Sequence, residues 1–167
     1  MVEKIVKMNK SVLMRVHPEN DNWFGKKARQ FLFSTGKSAH FASALFYMID
    51  VIRSIFLYSW RKYDFVIFVR YLMGTAYLPP PLHVVGYNFF SAMVPKSKNM
   101  FFLDVDPRTA AARIRENRSD IEMFENLSDL EKIRGKALSL TRFDSWIIID
   151  SNQPAEAIAV DLEKRVF

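Results

Sequence analysis

The chain has 167 residues, half of them hydrophobic and a quarter charged, and its formal net charge is +6. This composition is ordinary for a globular protein and predicts a single domain over residues 1–167, long enough to bury a hydrophobic core. The absence of cysteine excludes disulfides, thiolate chemistry and cysteine-bound zinc, while the positive charge favours an anionic partner such as a nucleotide, a nucleic acid or a membrane surface.

Secondary structure is predicted from hydrophobic periodicity and from capping and turn residues. In chain order we expect the end of a helix (Val2–Lys10), a strand (Ser11–Val16), helices Trp23–Phe33 and Lys37–Arg61, a strand (Tyr63–Val69), a short helix (Gly86–Met93), a strand (Lys98–Val105), helices Pro107–Asn117 and Asp129–Leu140, a strand (Trp146–Asp150) and a closing helix from Gln153-Pro154. Strands that alternate with helices indicate an α/β three-layer sandwich, with a mainly parallel sheet flanked by helices.

Neither the N-terminal segment nor the most apolar stretch predicts a membrane protein. The segment Met1–Lys10 mixes charge through every turn and has no apolar signal core. The stretch Phe41–Trp60 contains Asp50 and Arg53, so we interpret it as a buried helix. A soluble, cytoplasmic protein is expected.

Two arginines follow predicted strands, where ligands bind in open α/β sheets. Arg70 comes directly after the central strand, and Arg15 lies at the end of the first. A guanidinium presents five donors in a planar fork that suits a phosphate. Phosphate binding is the functional interpretation of both residues, and a structural ion pair is the alternative.

Further arginines follow the third predicted strand. Arg113, Arg115 and Arg118 lie in or just after a helix, and the spacing puts Arg115 and Arg118 on one face. One interpretation is a solvated cationic surface. The other is a lid, about residues 113–128, whose arginines close over a phosphate in transfer and stabilise its charge.

Other kinds of site are excluded by spacing. Gly36-Lys37-Ser38 resembles a phosphate loop, but G-x-x-x-x-G-K-[ST] requires glycine where Phe31 stands, and no strand precedes it. The three histidines lack metal-binding spacing, and no metal ligands are predicted. No G-x-S-x-G elbow is present for a serine nucleophile.

The chain resembles the thymidylate kinases, in particular the shorter archaeal-type members. The resemblance spans about Ser11 to the C-terminus. It depends on Arg15-Val16-His17-Pro18-Glu19, Tyr63–Tyr71 with Gly74-Thr75-Ala76-Tyr77, Phe102-Leu103-Asp104-Val105-Asp106-Pro107 with the arginine-rich segment, Lys132-Ile133-Arg134, and Trp146–Asp150. It implies a P-loop nucleotide kinase fold that moves the γ-phosphate of ATP, with Mg²⁺, onto thymidine monophosphate.

The resemblance also implies roles for individual residues. Arg70 would hold the acceptor monophosphate and would form the catalytic set with Arg115 and Arg118, which would also contact ATP. The predicted substrate-binding residues are Arg15 near the same acceptor, Phe46 stacked on the base, Asp50 at the position of a base-reading arginine, and Tyr77 beside the deoxyribose.

This sequence departs from the family pattern at several positions. The initial strand and its GxxxxGK[ST] loop are missing, Val69 replaces the aspartate before Arg70, and His17 replaces a glutamate. A missing first strand would leave a gap in the sheet between two buried strands. Three explanations stay open: the true start lies upstream of Met1, another element or a neighbouring chain fills the gap, or the chain is a rearranged, non-catalytic relative.

The expected function is therefore a thymidylate-like nucleoside monophosphate kinase, impaired in this chain by the missing loop. The alternative is a non-catalytic kinase-like module that binds a nucleotide or a protein. The expected partners are a nucleoside monophosphate and ATP, with a homodimer left open. A nucleic-acid partner is not favoured, because the cations are dispersed and no reader motif is present.

Overall fold

Strands and helices alternate along the chain, and all paired strands run parallel. The computed structural model describes residues 2–34, 37–117 and 125–167. Within these ranges the elements are α1 (Val2–Lys7), β1 (Val12–Val16), α2 (Trp23–Leu32), α3 (Lys37–Tyr58), β2 (Phe65–Val69), a 3₁₀ helix (Leu72–Tyr77), α4 (Leu82–Met93), β3 (Met100–Asp104), α5 (Pro107–Asn117), α6 (Leu127–Leu140), β4 (Trp146–Asp150) and α7 (Ala155–Val166). The predicted α/β class is confirmed.

The strands form two separate parallel pairs. The register runs from Val12 opposite Phe65 to Val16 opposite Val69 in the β1–β2 pair, and from Met100 opposite Trp146 to Asp104 opposite Asp150 in the β3–β4 pair. No ladder joins the two pairs within the described ranges. Phe68 of β2 and Phe102 of β3 nevertheless pack against one hydrophobic core. This split is what the resemblance implies for a sheet without its central strand.

Helix α3 supplies much of that core. Tyr47, Met48, Val51 and Ile55 recur at helical spacing and are at most 9% exposed, so they define one buried face. Among the described residues one segment, Phe41–Tyr58, is long and apolar enough to cross a membrane, with a mean hydropathy of 1.5. A third of that segment is buried, and the core helix of a soluble protein passes the same test, so it is weak evidence for a membrane span.

The structure differs from the sequence-based expectations mainly around the prolines. Helix α4 begins at Leu82, four residues before the predicted start, because the Pro79 and Pro81 carbonyls accept its first N–H groups. The 3₁₀ helix was not predicted. Of the predicted lid, residues 113–117 are the end of α5 and residues 118–124 lie outside the described residues.

Candidate functional site

A cavity of about 170 Å³ lies at the carboxyl ends of β1 and β2, beneath α3. This is the sheet edge at which a ligand site was expected. Its wall is largely apolar. The residues that line it include Pro18, Ser43, Tyr47, Arg70, Tyr77 and Phe102. Arg70 is the one charged residue in this wall within the part of the chain that the structure describes.

Arg70 has an unusual backbone conformation. It directly follows β2, and its φ is 58°, in the left-handed region that side chains other than glycine seldom occupy. Such residues cost about 1–3 kcal/mol of strain, and they cluster at functional sites. Its side chain is exposed, and no described residue pairs with its guanidinium. The structure therefore presents a cation at the cavity with its donors available.

The backbone on both sides of Arg70 is held by hydrogen bonds. The His17 N–H donates to the Val69 carbonyl at 3.3 Å and so continues the β1–β2 pairing by one residue. The Tyr47 hydroxyl donates to the Tyr71 carbonyl at 3.2 Å. The backbone is thus attached to the end of β1 directly before Arg70 and to α3 at the residue after it.

Asp50 is fully buried and binds the loop that follows β1. Its carboxylate accepts hydrogen bonds from His17 Nδ1 at 2.8 Å, the Glu19 N–H at 2.8 Å and Asn22 Nδ2 at 2.5 Å. Burial alone would raise the pKa of Asp50, but these hydrogen bonds outweigh it and hold the pKa below its ordinary value. Asp50 is therefore ionised, and it fixes residues 17–22 to α3. Its predicted contact with substrate stays a prediction.

Arg15 is also occupied by this loop. Its guanidinium lies 2.7 Å from Asp21 Oδ2 and 3.3 Å from Glu19 Oε1, and it stacks on the Tyr58 ring at 4.4 Å. The residue is buried. These contacts form a structural ion pair, which was the alternative interpretation of Arg15 in the sequence analysis. The contact of Arg15 with a monophosphate stays a prediction.

The predicted side chains for base and sugar lie in different places. Tyr77 lines the cavity with Arg70. Phe46 instead meets the Trp23 ring edge-on at 5.4 Å and stacks on Phe31 at 5.7 Å. Its neighbour Tyr47 lines the cavity, and sequence reasoning missed it. Helical spacing could have shown it, because Ser43, Tyr47 and Asp50 form a buried polar stripe on α3.

Of the predicted lid arginines, Arg115 is exposed on α5, and Arg118 lies outside the described residues. Arg113 is used structurally. It donates hydrogen bonds to the carbonyls of Ser151, Asn152 and Gln153 at 2.7, 3.2 and 3.1 Å. Helix α5 is thereby attached to the loop that follows β4.

ATP and Mg²⁺, which the resemblance implies, do not fit a complete donor set here. Within the described ranges no group of three histidine or acidic side chains could hold a metal ion. The sequence contains no GxxxxGK[ST] loop for the phosphates. Of the predicted cofactor pair, the structure describes Arg115, which is exposed on α5.

Comparison with known proteins decides the family. The sequence model of the family "Thymidylate kinase" matches residues 1–162. The chain belongs to the thymidylate kinase family. The match confirms the predicted family. Thymidylate kinases are soluble, ATP-binding transferases of nucleotide biosynthesis with a P-loop fold.

Two curated archaeal relatives are similar to part of this thymidylate kinase-family chain. A probable thymidylate kinase of Pyrobaculum aerophilum is 35% identical over 79 residues, which cover 47% of this chain and 41% of the relative. One from Pyrobaculum calidifontis is 32% identical over 74 residues, which cover 44% and 38%. The matched part thus spans about two fifths of the relatives' length.

A solved structure agrees on the fold. The thymidylate kinase of Candida albicans superposes with a TM-score of 0.69 at 16% identity, over 98% of this chain and 83% of that one. At this identity the likeness shows the fold alone, and it confirms the predicted nucleotide kinase-like α/β architecture.

Proposed function

We propose that this chain provides the acceptor-binding part of a nucleoside monophosphate kinase of the thymidylate type. The observation that carries the proposal is Arg70, a cation with a strained backbone at a largely apolar cavity, with which no residue in the described part of the chain pairs. A guanidinium can hold two phosphate oxygens at once. The apolar wall suits a flat base, and Tyr77 lies on the same wall to contact the sugar.

The reaction we propose is transfer of the ATP γ-phosphate to this monophosphate. Arg115 and Arg118 would then contact the phosphates of ATP. Arg15, Phe46 and Asp50 are not among the residues of the cavity wall, and their contact with the acceptor stays a prediction. Because the sequence carries no GxxxxGK[ST] loop, we expect the 167-residue chain to bind the monophosphate and to transfer phosphate slowly or not at all.

The second candidate is a non-catalytic kinase-like module. Val69 and Asp50 favour it, since an apolar and an acidic residue stand where the family carries an aspartate and an arginine. A module of this kind would bind monophosphate equally well with and without ATP and Mg²⁺. A coupled ADP-release assay separates the two candidates, because steady turnover by this chain would exclude the non-catalytic one.

Binding calorimetry tests the acceptor site directly. The purified chain is titrated with thymidine monophosphate and with thymidine. The ratio of the two affinities, called here the phosphate increment, measures the contribution of the phosphate separately from that of the base and sugar. We expect Arg70→Ala to reduce monophosphate affinity by about ten- to a hundredfold, the effect of one charge-assisted contact of about 1.5–3 kcal/mol, and to leave thymidine binding unchanged.

Arg142→Ala is the matched control, because it removes the same charge from an exposed arginine outside the cavity wall. It should leave both affinities unchanged. Equal affinity of the unmodified chain for nucleotide and nucleoside would contradict the proposal.

We also propose that the protein is cytoplasmic.

We further propose that the chain forms a homodimer. Light scattering on the purified chain measures the mass of the particle in solution. A mass of about twice the 19.5 kDa chain is the expected result, and a monomer at all accessible concentrations would reject it.

A further inference from the structure

We propose that Tyr47 and His17 are positioning residues that hold Arg70 in its left-handed conformation and thereby aim its guanidinium at the acceptor phosphate. The inference rests on the proposed role of Arg70. It assigns a function to two side chains and a buried carboxylate that the predicted site either omitted or placed elsewhere.

Tyr47 holds the backbone one residue beyond Arg70, at the carbonyl of Tyr71. Its ring is buried in the core beside Gly74, so closely that a Cβ added there would lie 2.0 Å from a ring carbon. The fixed ring brings its hydroxyl within 3.2 Å of the Tyr71 carbonyl. Burial raises the pKa of Tyr47 above its ordinary value, so this hydroxyl stays protonated and can donate at physiological pH.

His17 holds the peptide that precedes Arg70. Its N–H donates to the Val69 carbonyl, and its imidazole is fixed by Asp50 at 2.8 Å. Since the ionised carboxylate can only accept, His17 Nδ1 carries the proton of this hydrogen bond. Both the imidazole and the carboxylate are 0% exposed, so the connection from α3 to the Val69 carbonyl is shielded from water.

The rings of this region form one packed group. Phe68 of β2 stacks on His17 at 6.1 Å and on Tyr71 at 5.4 Å, and His17 meets Tyr47 edge-on at 6.4 Å. The residues on both sides of Arg70 are therefore held by ring packing as well as by hydrogen bonds. A residue other than glycine keeps a left-handed conformation only where several contacts of its neighbours fix the backbone, as they do here.

Positioning matters because the direction of the Arg70 side chain depends on its backbone. If the hydrogen bonds to the Val69 and Tyr71 carbonyls were broken, φ would relax to a negative value, and the Cα–Cβ bond would turn away from its present direction. The charge would remain near the cavity, but the two-point geometry that a phosphate requires would be lost. Affinity for the phosphate should thus fall even though Arg70 is still present.

The test is Tyr47→Phe, which removes the hydroxyl and keeps the ring. Thymidine monophosphate and thymidine are titrated as for Arg70, and the ratio of the two affinities gives the phosphate increment. We expect this increment to fall about three- to tenfold, the effect of one lost hydrogen bond, while thymidine affinity stays constant. Tyr87→Phe is the matched control, because its hydroxyl bonds Asp144 outside the cavity wall, and it should leave the increment unchanged.

Asp50→Asn tests the other side of Arg70. It keeps the shape of the side chain and removes the charge that fixes His17, and we expect a similar drop in the phosphate increment. Both variants are then repeated with Arg70→Ala. If Tyr47 and Asp50 act through Arg70, neither change has a further effect on the increment in that background.

The outcomes separate the inference from the function on which it rests. No phosphate increment in the unmodified chain would reject the proposed function itself. A normal increment that Tyr47→Phe leaves unchanged, or a loss that is equal for nucleotide and nucleoside, would overturn the positioning role and leave the function of Arg70 standing. An effect of Tyr47→Phe that persists in the Arg70→Ala background would overturn it as well.

Discussion

The Tyr87 hydroxyl donates a hydrogen bond to Asp144 Oδ2 at 2.7 Å and accepts one from the Trp146 indole at 2.6 Å. Asp144 also accepts from Ser91 Oγ at 2.8 Å and from Lys96 Nζ at 2.7 Å. Tyr87 is fully buried on α4, while Trp146 begins β4. This network therefore attaches α4 to the start of the last strand, away from the cavity.

The first prediction concerns the stability that this network provides. Tyr87→Phe should lower the free energy of unfolding by about 1–3 kcal/mol, because it leaves the Trp146 indole N–H without its partner and removes one of the hydrogen bonds to the Asp144 carboxylate. Urea denaturation followed by circular dichroism measures the change. Tyr63→Phe is the control, since no hydrogen bond is described for that hydroxyl; an equal loss in both variants would refute the assignment.

The second prediction concerns acid unfolding. Burial acts to raise the pKa of Asp144, but the hydrogen bonds from Lys96, Tyr87 and Ser91 bring it below its ordinary value. A carboxylate with a lowered pKa contributes stability that is complete above the unfolded pKa of about 3.9 and is lost as pH falls towards the folded value. Unfolding free energy should thus decline below about pH 4.

Asp144→Asn isolates that contribution. The variant should be less stable at pH 7 and should lose less stability between pH 4 and pH 2.5 than the unmodified chain, as measured by urea titrations at each pH. Parallel curves for the two proteins would show that Asp144 does not contribute to the acid transition.

The third prediction lies in a separate pH window. Burial, with a smaller contribution from the charge of Lys136, lowers the pKa of His83, and no described partner satisfies its buried Nδ1. Folding therefore favours the neutral imidazole. The contribution of neutral His83 to the free energy of unfolding is complete above the unfolded pKa of about 6.5, and it is lost as pH falls towards the pKa in the folded state.

His83→Gln should remove this slope, because the amide does not titrate. Unfolding free energies from pH 7.5 to pH 5 provide the measurement. The unmodified chain should lose stability over that interval, whereas the variant should stay flat; a slope that the substitution leaves intact would assign it to another group.

Much of the fold was predictable because local pattern and tertiary packing agree. The strand Trp146–Asp150 and the helix Pro107–Asn117 were predicted with their observed bounds, since one is a continuous apolar run and the other begins with a favourable proline. The 3₁₀ helix was not predicted, and it contains Gly74, which lies against the Tyr47 ring of α3. A single sequence carries no local signal for that contact.

The site was predictable in part for the same reason. Arg70 could be placed at this sheet edge because the carboxyl ends of parallel strands share one edge, whereas Tyr77 was placed there only by the family resemblance. Arg15 and Arg70 look alike in the sequence, yet Asp21 and Glu19 pair with Arg15, while no described residue pairs with Arg70. Which of two arginines keeps its donors free is decided by the path of a loop, and this cannot be deduced from spacing.

The fourth prediction compares two glycines. Gly74→Ala would place a Cβ 2.0 Å from the Tyr47 ring, whereas at Gly135 on α6 nothing lies within 4 Å. We expect Gly74→Ala to cost about 1–3 kcal/mol, as overpacking does in a filled core, and to weaken monophosphate binding by displacing Tyr47.

Gly135→Ala is the matched control and should stabilise the chain by about 0.5–1 kcal/mol, the gain expected within an exposed helix. Thermal unfolding and nucleotide titration give both readings. Tolerance of alanine at both positions would show that Tyr47 is not held tightly against Gly74.

The last prediction separates strain from function at Arg70. Glycine adopts a φ of 58° without the steric cost that every side chain has there. Arg70→Gly should therefore be more stable than Arg70→Ala by about 1 kcal/mol, although both variants lack the guanidinium and should lose the phosphate increment equally. Urea denaturation and nucleotide titration on the two proteins measure both quantities. Equal stabilities would mean that the backbone relaxes once the arginine is removed, and that the left-handed conformation is maintained by the side chain rather than by His17 and Tyr47.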